Sequence, residues 1–120
     1  MSTPTVYHER QRPPPLAPDQ LAKIRRELEQ ELYRIIPETR RRNDIGFRAE
    51  LAQTLRPRPR GLALQIIDAL RRMEAGTFGL CAGCGGSISY QRLSAIPETT
   101  VCAECSWSRE RSFHQRKEIA

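Results

Sequence analysis

The chain has 120 residues and a mass of 13.8 kDa, with 38% apolar and 28% charged residues, four cysteines and a formal charge of +6. A chain this short buries only about 65% of its unfolded surface, which argues against a multi-lobed enzyme with an enclosed cleft and favours a small module held by a staple. Its uninterrupted apolar stretches, Gly61 to Leu64 among them, fall far below the ~20 residues needed to cross a bilayer, and residues 1–20 lack an apolar signal region, so a cytoplasmic protein with no membrane partner is expected.

Five of the nine prolines, Pro4, Pro13, Pro14, Pro15 and Pro18, lie in a polar, aperiodic stretch that reads as a disordered or polyproline arm over residues 1–18. The Pro13–Pro15 run reads as part of that tail rather than as a docking motif. From Asp19, taken as an N-cap, Leu21, Ile24, Leu28, Leu32 and Ile35 recur at steps of three and four, which predicts an amphipathic helix. Pro37 should end it near Ile36, because proline disfavours helical geometry in the residue before it. Lys23/Glu27 and Arg25/Glu29 stand at i,i+4 on its charged face.

The charge is concentrated beyond this helix. Residues 39–60 hold seven arginines (Arg40, Arg41, Arg42, Arg48, Arg56, Arg58 and Arg60) against Asp44 and Glu50, or +5, leaving the rest of the chain nearly neutral. Arg accounts for 18 of the 20 cations, a preference that suits phosphate or carboxylate recognition but that codon bias would also produce. Within this segment Asn43 to Leu55 can form a short helix with Ile45, Leu51, Ala52 and Leu55 turned inward, either extending the preceding helix or folding back as a third one. A second amphipathic stripe, Leu62, Ile66, Leu70 and Met73 with Leu64 and Ile67 beside it, begins after Arg60 and ends at Gly76, a natural C-terminal glycine. Two stripes of matched length most simply pair as an antiparallel hairpin, with the basic segment at its far end.

Cys81-Ala-Gly-Cys84 and Cys102-Ala-Glu-Cys105 are two Cys-x-x-Cys knuckles 17 residues apart, the spacing of a four-cysteine zinc site. Gly83, Gly85 and Gly86 give the first knuckle backbone freedom. Two disulfides would need an oxidising compartment, and no βαβ pattern surrounds either pair to suggest thioredoxin-like chemistry. Four protein ligands leave no open position, so one structural Zn2+ is expected and metal catalysis is not. His8 and His114 read as surface residues, and Trp107 and Phe113, in a helix-like C-terminal segment, as packing against the finger or the hairpin base.

Gly76-Thr-Phe78-Gly79-Leu-Cys81-Ala-Gly-Cys84-Gly85, then Ile88, Arg92-Leu93, Ala95, Pro97 and Cys102-Ala-Glu-Cys105, preceded by an amphipathic helix, resembles the DksA/TraR zinc-finger family over about residues 61–110. The expected fold is mainly α, an antiparallel helical hairpin or coiled coil joined to a small four-cysteine zinc-finger globule with a C-terminal helix. The expected divisions are an arm at 1–18, a hairpin at 19–76 with basic distal segment 37–60, and the finger with its C-terminal helix at 77–120. The resemblance implies a monomeric transcription regulator that binds bacterial RNA polymerase, inserts the hairpin through the secondary channel and alters initiation, often with ppGpp.

The family's acidic Asp-x-x-Asp-x-Ala tip falls on Glu38-Thr39-Arg40-Arg41-Arg42-Asn43, where only Glu38 keeps the acid. Sliding the register by three residues brings Asp44 to the second acid and Arg41 to the first, so the acidic pair is not restored. The tip expected to meet the partner is therefore Glu38, Arg40, Arg41, Arg42, Asp44, Arg56, Arg58 and Arg60, basic where the family is acidic. Leu62, Gln65, Ile96 and Ser106 fall on positions associated with ppGpp; three neutral residues stand where cations would meet phosphates, which implies weak ppGpp dependence. The alternative is a sequence-tolerant nucleic-acid-binding zinc module using the Arg-rich segment 40–60, for which the scarcity of aromatics provides little base stacking. A protein adaptor using the arm and hairpin is a third reading. An enzyme is not expected, since no phosphate loop, paired carboxylates or nucleophile stand outside the proposed metal site.

Overall fold

The computed structural model describes residues 13–110 apart from Asn43; the first twelve and last ten residues, with His8, Phe113 and His114, lie outside the described residues. Helix α1 spans Pro18–Ile35, a 3-10 turn Pro37–Arg40, α2 Ile45–Gln53, α3 Pro57–Ala75 and α4 Tyr90–Ala95. Residues 103–110 are again helical. No described helix is long and apolar enough to cross a membrane.

Helix α1 begins two residues earlier than its sequence suggests. Ala17 is the N-cap and Pro18 takes the first helical position, where its missing N–H costs nothing, while Asp19 sits in the first turn. The Gln20 side chain accepts a hydrogen bond from the Ala17 N–H at 3.0 Å. Ile24, Leu28, Leu32 and Ile36 are buried, and Leu21 and Ile35 flank them half-buried. The helix ends before Pro37 as expected, and Pro37 then opens the 3-10 turn.

Helix α3 corrects its sequence expectation more substantially. It starts at Pro57, so the Arg-Pro run forms its first turn instead of preceding it. Pro57 and Pro59 both fall where helical N–H groups have no intrahelical acceptor, and proline is tolerated there. Its buried face is Ala63, Ile66, Ile67, Ala69 and Leu70, with Leu62 39% exposed. Two alanines thus replace Leu62 on the inward stripe, where small side chains allow the paired helix close. Gly76, at φ 76°, ends the helix in the left-handed conformation that glycine adopts freely.

Helices α1 and α3 pack together through one contiguous core that also takes in Cys81, Ile88 and Leu93. Leu16, just ahead of α1, lies 3.6 Å from where a side chain at Gly79 would project, just beyond α3. The start of α1 and the end of α3 therefore share one end of an antiparallel hairpin. Helix α2 packs on α3 as a separate element. Ala52 is fully buried and Ile45, Leu51 and Leu55 half-buried against the core, so the middle segment forms a third helix with the expected residues inward.

Candidate metal centre

The finger grows from the hairpin base as a set of short turns with few regular hydrogen bonds of its own. Leu80 and Ser87 form an isolated antiparallel bridge, Cys81 N–H donates to the Gly86 carbonyl at 2.8 Å, and Ile88 N–H donates to the Gly79 carbonyl at 2.7 Å. These close the first knuckle. The second is laid beside it by Ala82 N–H donating to the Thr100 carbonyl at 2.7 Å. Ser89 caps α4 by accepting from the Arg92 N–H at 3.2 Å, and Leu93 of that helix is fully buried beneath the turns.

This scaffold gathers Cys81, Cys84, Cys102 and Cys105 so that all four sulfur atoms lie within 4.8 Å of one another. A tetrahedral ion with Zn–S bonds of about 2.3 Å requires S···S separations of about 3.8 Å. Cys84 Sγ and Cys102 Sγ are 3.9 Å apart, close to that value and far beyond the ~2.05 Å of a disulfide. All four cysteines are free thiols. The donor set is soft, closed and four in number, so it fits one structural zinc ion and leaves no position at which a metal-bound water could be activated.

Backbone donors surround the sulfurs unevenly. Cys81 Sγ accepts from Cys102 N–H at 3.2 Å and from Gly83 N–H at 3.3 Å, and Cys102 Sγ accepts from Cys105 N–H at 3.5 Å. Burial alone would push the Cys81 thiol up, but the backbone N–H groups of Cys102, Cys84 and Gly83 outweigh it and bring the thiol down to about 6. The Cys105 thiol is pushed up to about 12 by hydrogen bonding with the Cys102 and Cys81 sulfurs. Burial raises Cys102 above the ordinary value of 9.0. Of these thiols Cys81 is therefore the one whose surroundings favour the thiolate most.

Gly83 has a different role from the one its place in the knuckle suggests. A Cβ there would stand 3.0 Å from Cys105 Sγ, so the second knuckle's sulfur occupies the space a side chain would take. Gly85, at φ 75°, is where the turn requires the left-handed conformation.

Two arginines, Arg92 of the family pattern and Arg72, which no spacing singles out, brace the second knuckle. From α3, Arg72 donates to the carbonyls of Thr99 at 3.3 Å and Glu98 at 3.4 Å, pairs with Asp68 at 3.2 Å and lies 5.9 Å from the Phe78 ring centroid. Arg92 Nε donates to the Val101 carbonyl at 2.9 Å. The contacts of Arg72 cross 26 and 27 residues, so no local pattern announces them. Trp107 is 66% exposed, so most of its ring surface faces solvent.

The distal residues are not brought into one cluster of free cations. Arg48 is only 2% exposed, with Nη1 4.0 Å from Glu29 Oε1, and is removed from any phosphate-binding surface. The Arg40 guanidinium lies 5.6 Å from the Tyr33 ring centroid and that of Arg42 4.6 Å from the Phe47 ring centroid. Arg42 Nε also donates to Asp44 Oδ1 at 2.6 Å. Glu38 and Arg41 are exposed on and just after the 3-10 turn, while Arg56, Arg58 and Arg60 occupy the start of α3.

A two-helix hairpin ending in a closed four-thiolate finger defines the class to which this molecule conforms. Residues 76–111 match the family model of the prokaryotic dksA/traR C4-type zinc finger. The chain is 38% identical over 88 residues to an uncharacterized protein of Aquifex aeolicus, and 34% identical over 94 residues to the RNA polymerase-binding transcription factor DksA of Caulobacter vibrioides. These alignments cover 71% and 73% of this chain but 61% and 66% of the relatives, so the chain spans less than two thirds of either. Among solved structures, transcription factor DksA2 from Pseudomonas aeruginosa is similar at a TM-score of 0.51 and 28% identity, covering 80% of this chain and 81% of that one. The RNA polymerase binding protein and transcriptional regulator Dks of Chlamydia trachomatis is similar at a TM-score of 0.50 and 25% identity, covering 82% and 96%. The chain belongs to the DksA/TraR family of C4-type zinc-finger proteins.

Proposed function

We propose that this protein is a non-enzymatic, RNA-polymerase-binding transcription regulator of the bacterial cytoplasm that acts as a monomer. Its hairpin enters the secondary channel and its distal end modulates initiation. The observation that carries the reading is the closed thiolate cluster at the hairpin base: it supplies a rigid mount and no chemistry, which suits a protein that works by positioning a projection. Cys81, Cys84, Cys102 and Cys105 are the proposed zinc ligands. Bound zinc would crosslink the two knuckles and fix the base from which α1 and α3 extend. The arm is assigned to 1–18, the hairpin to 19–76 with its basic distal segment at 37–60, and the finger to 77–120.

The distal segment, with Glu38, Arg40, Arg41, Arg42, Asp44, Arg56, Arg58 and Arg60, is the proposed partner-facing end. Its sign should give an output different from that of an acidic tip even if the body docks alike. Leu62 and Ile96 are 39% and 41% exposed, and with Gln65 and Ser106 they offer no cation to a polyphosphate, which supports weak ppGpp dependence. The nucleic-acid alternative loses force because Arg48 is buried and Arg40 and Arg42 are engaged within the chain. Reconstituted transcription from a stable-RNA promoter, with the zinc-loaded protein and with or without ppGpp, tests the proposal. A changed initiation rate that ppGpp hardly alters is expected, and no effect on initiation at saturating protein would refute it.

A further inference from the structure

Helix α2 is anchored more thinly than the two helices of the hairpin. Its one fully buried apolar residue is Ala52, a single methyl group, while Ile45, Phe47, Ala49 and Leu51 are half-buried. By contrast α1 sets Ile24, Leu28 and Leu32 into the core. At nine residues α2 is shorter than the roughly 12–15 that a helix needs to be even marginally stable alone in water, and Gly46 in its first turn lowers its helix preference further. The helix therefore exists because it is docked.

The other side chain it buries opposes that docking. The Nε and Nη2 of Arg48 lie on one edge of the planar guanidinium, the edge that grips a carboxylate or phosphate through two parallel hydrogen bonds. Both atoms are buried, and neither has a hydrogen-bond partner among the described residues. Only Nη1 meets an acid, Glu29 Oε1 at 4.0 Å, which is beyond hydrogen-bond length, and the same oxygen lies 4.0 Å from Arg25 Nε. Docking α2 thus takes water from two donors and returns no bond to them. When α2 leaves the hairpin, Arg48 is hydrated and that cost disappears. The segment is pinned on both sides: Thr39 is fully buried with its hydroxyl donating to the Ile36 carbonyl at 2.7 Å, and α3 begins at Pro57.

We infer that α2 is a releasable cover, exchanging between the docked helix and an unwound segment over residues 41–56 while the α1–α3 hairpin and the finger stay folded. Because the helix is too short to persist undocked, its amides open together as one local unit. Opening uncovers the part of the core beneath Ala52 and carries Arg48 from the interior to the distal surface, so the charge displayed there depends on the state of the cover. The inference stands whichever partner the distal end meets.

The test is amide hydrogen exchange of the full-length, zinc-loaded chain, followed residue by residue by NMR. In the unmodified chain the amides of residues 48–53 should exchange together, at least about tenfold less protected than those of residues 24–32 in α1 and 63–70 in α3. Arg48→Met, which keeps the length of the side chain and removes the unmatched donors, should raise the protection of residues 48–53 at least about fivefold and leave both other segments within about twofold. Arg26→Met, on the exposed face of α1, should move none of the three. Equal protection across the three segments of the unmodified chain would overturn the inference whatever the variant does. An Arg48→Met chain with unchanged zinc content and circular dichroism whose residues 48–53 exchange as before or faster would also overturn it, because the guanidinium would then be bonded in the docked state. Failure of Arg48→Met to fold would overturn it on the same ground.

Discussion

Arg48 is a cation placed where charge is costly. Its Nε and Nη2 have no hydrogen-bond partner among the described residues, and its acidic neighbour, Glu29, is shared with Arg25, each guanidinium 4.0 Å away. Glu29→Ala should therefore destabilise the fold by about 1–3 kcal/mol, below the cost for a fully buried pair because Glu29 is 32% exposed. Arg48→Met, which keeps volume and removes the charge, should leave thermal stability unchanged or raise it. A loss above about 1 kcal/mol in denaturant melts of Arg48→Met would mean that the guanidinium makes bonds worth more than its desolvation. At the metal centre, zinc competes with protons on Cys102 and Cys105, both raised, so metal uptake at neutral pH should release at least two protons. Affinity should fall as pH falls, and more steeply below about 6 where Cys81 also protonates; competition with a chromogenic chelator reads this. Arg48 also marks the limit of the sequence: inside an Arg-rich run it reads as one more surface cation, and its burial depends on an acid in another helix. The cysteines were legible because a four-thiolate site writes its geometry into two local spacings, whereas the sulfur contact that requires Gly83 comes from the other knuckle.

At the scale of elements, α1 shows how far periodicity carries. Its stripe of Ile24, Leu28 and Leu32 is the buried face, since a long helix with one apolar side has a single way to hide it. Helix α3 was less legible: its prolines punctuate a sequence the way breakers do, and only the helix start makes them first-turn residues. Arg58 on that first turn stands at the positive end of the helix, with no acidic residue nearby in the turn. Arg58→Glu should stabilise the isolated fold by about 0.3–1 kcal/mol in urea melts at low salt while weakening any contact with an anionic partner. A loss of stability would mean that Arg58 has a structural role. Helix α2 depends on its cap. Hydrogen bonding from the Arg42 side chain, aided by the Phe47 N–H, holds the Asp44 carboxyl below its ordinary 3.8, so the folded chain favours the charged form. The cap's contribution is present above pH 3.8 and fades as pH falls further. Asp44→Asn or Asp44→Ala should speed amide exchange in residues 45–53 while leaving α1 and α3 unchanged.

For the whole molecule, one apolar core carries the hairpin and reaches into the finger through Cys81, Ile88 and Leu93, while the rest of the finger is assembled around sulfur. The finger's turns contribute few buried side chains, chiefly Ile88 and Leu93, so zinc is expected to supply most of its ordering; structural zinc sites contribute roughly 10–16 kcal/mol of apparent binding energy. Chelation, or Cys81→Ser with Cys84→Ser, should abolish amide protection across residues 76–105 and leave protection in the middle of α1 and α3, as read by hydrogen exchange with mass spectrometry. Uniform loss across the hairpin would show that the two parts fold only together. The charge has a similar division. Of the seven arginines that give residues 39–60 their +5, one is buried and two serve the loop, so the distal end presents fewer free cations than its composition promises. The proposed function requires that a zinc-mounted hairpin bind polymerase. Titration of the zinc-loaded chain against bacterial core RNA polymerase tests it most directly: saturable binding at low micromolar concentration or tighter, lost on chelation, is the predicted result, and no binding by the zinc-loaded chain at tens of micromolar would contradict it.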